Sequence, residues 1–219
     1  MSPSPAAPWL LCWQGLLASE ATSRLRKLLP QIAGGMLCAL LLVLPMATRT
    51  GLGLLIAACG LLWLVWGLAT PPVQRPLGAI NGWLLVYLAI AVVASGLSPV
   101  PAAAAKGLLK LLSYLGVYAL MRRLLEGAPQ WWNRLLAALL LGQLITAVIG
   151  LRQLYAPIED LALWADPNSV ADGTRRIYST LGNPNLLAGY LVPILPLAVI
   201  GLLRWQGLWP KLLALSSLG

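Results

Sequence analysis

Six stretches of about 20 mostly apolar residues, the length that crosses a bilayer as a helix, dominate this chain. They lie at about 31 to 48, 51 to 69, 77 to 97, 102 to 121, 135 to 152 and 181 to 203, and none contains an Asp or Glu. In lipid a backbone must satisfy its own N–H and C=O groups, so runs of this kind form helices. The rest of the composition agrees: 59% of the residues are hydrophobic, only 10% are charged, and the mean hydropathy is +0.82, outside the range of soluble domains. The expected fold class is all-α: a polytopic helical membrane protein with six transmembrane helices. Residues Lys211 to Gly219 read as the start of a seventh helix, so the chain is expected to be the N-terminal part of a longer protein.

Residues 1–30 are expected to form a cytoplasmic or interfacial segment, a Pro-rich start followed by an amphipathic helix that ends near Pro30. Residues 31–219 then form the transmembrane helical domain, with an extracytoplasmic loop at about 153–180. Basic residues accumulate on the cytoplasmic side of membrane proteins. With the N-terminus inside, Arg24, Arg26, Lys27, Arg75, Arg122, Arg123, Arg134, Arg204 and Lys211 are cytoplasmic, against Arg49, Arg152, Arg175 and Arg176 outside. The asymmetry predicts a cytoplasmic N-terminus. It also accounts for the net charge of +9 as a topological signal facing an anionic leaflet, and no nucleic-acid partner is implied. The lipid bilayer is the first partner.

Histidine is absent, which removes the commonest general base and metal ligand. Cys12, Cys38 and Cys59 are odd in number and show no metal spacing. No P-loop or dinucleotide fingerprint is present; neither a cofactor nor a metal is expected.

Polar chemistry gathers where the sixth span begins. In "TLGNPNLLAGYLVPILPLAVIGLL" (180–203), Asn183 is a favoured N-cap and Pro184 a favoured first helical residue, which is enough to start a helix. Asn185 in the first turn, and Arg175 and Arg176 just upstream, suggest more: a helix N-terminus with amides and guanidinium groups is an anion site. Pro193 and Pro196 each forfeit a helical hydrogen bond, so the sixth helix is expected to be kinked, with Gly189 leaving room for the Pro193 ring. In the fourth span Lys106 and Lys110 stand one turn apart. Lys106 reads as a snorkelling side chain, and Lys110, deeper, as either a snorkelling residue or a further anion ligand. Gln143 and Thr146 in the fifth span read as interhelical hydrogen-bonding residues.

The stretch "RRIYSTLGNPNLLAGYLVP" resembles the Arg-x-x-(Ser/Thr)-x-x-Gly-(Asn)-Pro-Asn-x-x-Ala signature of the O-antigen ligase and polymerase superfamily of membrane proteins. The longer run "LALWADPNSVADGTRRIYSTLGNPNLLAGYLVP", with "GLSPVPAAAAKGLLKLLSYL" and "LWPKLLAL", is similar to one cyanobacterial branch, the IctB family named for bicarbonate transport. The matching positions are Arg176, Gly182, Asn183, Pro184, Asn185 and Ala188. The resemblance implies a multi-pass protein of the bacterial plasma (inner) membrane and leaves two activities open. One is inorganic carbon uptake, with bicarbonate as the anionic small molecule. The other is metal-independent glycosyl transfer from an undecaprenyl diphosphate-linked sugar. Both put an anion at Arg175, Arg176, Asn183 and Asn185.

Overall fold

The computed structural model describes residues 20–70, 78–155 and 177–218, and among these residues every regular element is helical. In chain order they are α1 (Glu20–Val43), α2 (Arg49–Ala69), α3 (Ala79–Gly96), α4 (Pro101–Gly127), α5 (Trp131–Gln153), a 3-10 turn (Ser179–Leu181), α6 (Pro184–Leu191), a second 3-10 turn (Val192–Ile194), α7 (Leu195–Arg204) and α8 (Leu208–Ser216). Six segments are long and apolar enough to span a membrane, the sixth running from Pro184 to Arg204 through α6 and α7. The chain is a multi-pass, all-α membrane protein. Large apolar side chains such as Leu61, Leu68, Ile80, Trp83, Val93 and Leu203 are exposed on the helices, where lipid tails are their natural solvent.

Helix α1 departs from the expected boundary at residue 30: it runs unbroken from Glu20, with Pro30 inside it. The physical reason is packing. Leu29, Ala33, Leu37 and Leu40 are all buried at spacings of four, four and three, one continuous helical stripe that holds the backbone on course through the proline. Helices α4 and α5 likewise extend past their apolar cores, so that Arg122, Arg123 and Arg134 lie on helix ends and only Ala128–Gln130 separate the two.

The described residues cluster into two compact units, the first drawn from Met1–Gly35 and Gly53–Ala128, the second from Met36–Leu52 and Pro129–Gly219. In the first unit, Tyr118 of α4 donates a 2.9 Å hydrogen bond to Oδ1 of Asn81 on α3, and the Arg26 Nε donates to the Ala69 carbonyl at the C-terminus of α2 (2.7 Å). A cation at that end also complements the helix dipole.

In the second unit, Leu136 and Leu140 of α5 pack with Ile194, Ala198, Trp205 and Ala214 into one apolar core. The Trp205 indole N–H donates to Asn133 Oδ1 (3.1 Å), tying the end of α7 to the start of α5. Small residues let backbones meet, as is usual between helices in lipid. A Cβ placed on Gly142 of α5 would lie 2.6 Å from the carbonyl oxygen of Leu42 on α1.

Candidate functional site

The lead into the sixth span is held by the C-terminal end of α5. Gln153, its last residue, accepts from the backbone N–H groups of Tyr178 (3.1 Å) and Ser179 (2.8 Å) through one oxygen and donates to the Ser179 carbonyl (3.3 Å) through its amide nitrogen. The Ser179 hydroxyl donates to the carbonyl of Thr146 (2.5 Å). Gly150 faces the same segment, and a Cβ there would come within 3.1 Å of Ile177 Cγ2. Ser179 pays for this docking with a φ of 51°, the one positive φ outside glycine among the described residues; such a conformation costs a non-glycine residue about 1–2 kcal/mol.

The chain then turns at Gly182, whose φ is 67°. A side chain there would meet no neighbour within 4 Å, so glycine serves the left-handed backbone rather than a close approach. Asn183 follows in an extended conformation as the N-cap of α6, and its side chain accepts from the Asn185 N–H (2.8 Å). Pro184, at the first helical position, has no N–H to satisfy, and the Leu187 N–H goes to the Asn183 carbonyl (3.0 Å). The capping role read from the sequence is thus realised. Its consequence is that the Asn183 side-chain oxygen is committed to the helix. The Asn185 side chain is exposed and Asn183 is half-buried, which leaves amide N–H donors at the tip of the helix.

Ala188 and Gly189 are exposed on α6. A Cβ at Gly189 would touch nothing within 4 Å, so room for the Pro193 ring is not the reason glycine stands there. Pro193 lies in the 3-10 turn Val192–Ile194, and the regular α-helical ladder stops on either side of it. Pro196 falls in the first turn of α7, where a missing N–H removes no bond the helix would otherwise have made.

Gln143 does make the interhelical bond expected of it: its Nε2 donates to the Ser217 carbonyl at the end of α8 (2.8 Å). The Thr146 hydroxyl instead donates to the Gly142 carbonyl of its own helix (2.8 Å), and it is the Thr146 carbonyl that accepts from the Ser179 hydroxyl. Lys106 and Lys110 are both exposed on α4, in the first unit, whereas Asn183 and Asn185 belong to the second. Arg175 and Arg176 lie outside the described residues.

The residues missed by sequence reasoning are therefore Gln153, Gly150 and Ser179. A glutamine closing an apolar span was the one available signal, and it does not reveal which backbone it will hold. Set against known protein families, curated proteins and solved structures, the chain matches none.

Proposed function

We propose that this chain belongs to a multi-pass protein of the bacterial plasma membrane that takes up inorganic carbon, admitting bicarbonate at an outward-facing site where the sixth span begins. The N-terminus is cytoplasmic, the sixth span is kinked around Pro193, and α8 opens a seventh span. The observation that carries the reading is the helix start itself. Asn183 caps α6 while the Asn185 amide stays exposed and uncommitted to the cap, so the N-terminal end of the helix presents donors and positive dipole character to an anion. Arg175 and Arg176 immediately precede in sequence the segment that Gln153 anchors, and guanidinium groups are suited to a planar, oxygen-rich anion. The break at Val192–Ile194 frees backbone carbonyls that, at membrane depth, face protein or a water-filled cavity.

The test is uptake of labelled bicarbonate into sealed vesicles carrying the protein, with an Arg175→Ala, Arg176→Ala double variant and an Asn185→Ala variant beside it. Uptake depends on the protein, falls by about tenfold in the arginine variant (about 1.4 kcal/mol of lost interaction) and falls less in Asn185→Ala. Correctly inserted protein that supports no uptake rejects bicarbonate as the substrate. The anion of choice is then the diphosphate of a lipid-linked sugar, and the assay becomes sugar transfer.

A further inference from the structure

The first unit carries a second feature, independent of the site above: an apolar groove that ends on a cation with no carboxylate partner among the described residues. Helices α2 and α4 approach so closely that a Cβ on Gly116 would lie 3.2 Å from the Gly60 Cα. Helix α3 joins them through the Asn81–Tyr118 hydrogen bond. The three enclose a groove of about 980 Å³, whose lining runs from Ile56 to Thr70 along α2. At about 1.5 Å of rise per residue this is about 21 Å, more than the depth of one leaflet's hydrocarbon, about 15 Å.

Its walls, among them Leu64, Leu85, Leu88 and Leu112, are apolar, and the polar lining is concentrated at the end where α2 and α4 terminate, with Thr70, Arg122, Arg123 and Glu126. Arg122 is neutralised by Glu126 one turn on (2.7 Å). Arg123 is not. Its guanidinium lies over the Trp66 ring, 5.0 Å from the centroid, and donates to the Thr70 hydroxyl, two neutral partners. Among the described residues no carboxylate comes within ion-pair distance of it. A half-buried guanidinium at the rim of a hydrocarbon-lined slot calls for an anion, and basic pockets between spans are where anionic headgroups bind.

We propose that this groove binds an anionic phospholipid of the leaflet facing the α2 C-terminus, one acyl chain lying along α2 and α4 and the phosphate accepting from the remaining N–H groups of Arg123. No bond is made or broken; the lipid is a bound ligand.

The experiment is native mass spectrometry of the detergent-purified protein incubated in turn with phosphatidylglycerol, phosphatidylcholine and glycerol 3-phosphate. Phosphatidylglycerol is retained at least about tenfold better than phosphatidylcholine, and glycerol 3-phosphate is not retained. Arg123→Gln removes the preference between the two lipids. Leu85→Trp, which fills the groove from an exposed wall position, lowers retention of both, while Arg49→Gln, a single cation lost elsewhere on α2, changes neither. Equal retention of the two lipids by the native protein overturns the proposal, because the charge then selects nothing. Retention of glycerol 3-phosphate to the same extent also overturns it, since the groove then contributes nothing. Should Arg123→Gln fail to fold, Leu85→Trp decides: undiminished phosphatidylglycerol binding in that variant places the lipid elsewhere.

Discussion

At the scale of single residues, two glycines that look alike in the sequence play different parts. Gly142 and Gly189 both sit within apolar helical runs. At Gly142 an added methyl group would meet the Leu42 carbonyl oxygen at 2.6 Å and the Leu41 carbonyl oxygen at 3.2 Å, both backbone atoms that move only if a helix moves. At Gly189 it would meet nothing within 4 Å. Gly142→Ala is therefore expected to destabilise the protein by about 1–3 kcal/mol, the usual cost of overpacking. Gly189→Ala is expected to be neutral or to stabilise by about 0.5–1 kcal/mol through the better helix former. Denaturant unfolding in detergent micelles measures both; equal effects would mean that the α1–α5 approach at Gly142 is not tight. Gln153, by contrast, holds two N–H groups with one oxygen, and nothing about its neighbours in the sequence distinguishes it from a solvated helix end.

Among the elements, the sixth span shows what a linear pattern reveals and what it conceals. The six helices were legible because apolar runs of bilayer length have only one way to satisfy their backbone in lipid. Their ends were less so: Arg24, Arg26 and Lys27 precede the apolar run, yet α1 begins ahead of them at Glu20 and continues through them, since hydrogen bonds along the axis do not depend on side-chain polarity. The Asn183 cap and Pro184 were legible because capping is local. The docking of Ser179 on Gln153 was not, because it joins residues 26 apart and depends on tertiary placement. The two prolines were given equal weight, but only Pro193 lies in the break between α6 and α7; Pro196 occupies a first helical turn. Pro193→Ala is accordingly expected to let the helix run through, with an amide at position 193 able to reach the Gly189 carbonyl. Stability then rises by up to about 3 kcal/mol while bicarbonate uptake falls, as expected if the break is kept for function. Pro196→Ala is expected to change both little. Hydrogen exchange at position 193 reads out the new bond, and an amide there that exchanges as fast as in an unfolded chain would show that something other than the proline ring holds the turn open.

For the whole molecule the decisive quantity is which way the spans run. Of the basic residues, those at the start of α1, between α2 and α3, around the α4–α5 connection and at or after the end of α7 outnumber those at the opposite ends, and the bias of Lys and Arg sets orientation. The helix ends sharpen that bias, because Arg122 and Arg123 stand within two turns of the end of α4 while Arg134, stacked 4.7 Å over the Trp131 ring, lies in the first turn of α5. These three cations flank a connection of three residues, Ala128–Gln130, so short that it cannot lie on the other side from them. With Cys12 and the half-buried Cys38 replaced by alanine and the buried Cys59 left in place, single introduced cysteines report the sidedness directly. Ser98→Cys, between α3 and α4, and Arg152→Cys, in the last turn of α5, are expected to react in intact cells with a thiol reagent that does not cross the membrane. Gln130→Cys, between α4 and α5, is expected to react only after the membrane is permeabilised. The reverse pattern would turn the Asn183 helix start toward the cytoplasm, where it could not receive an anion from outside, and would move the Arg123 groove to the outer leaflet. The lipid proposal would survive that inversion with its leaflet changed, whereas uptake through the sixth span would not, so one labelling experiment separates the two.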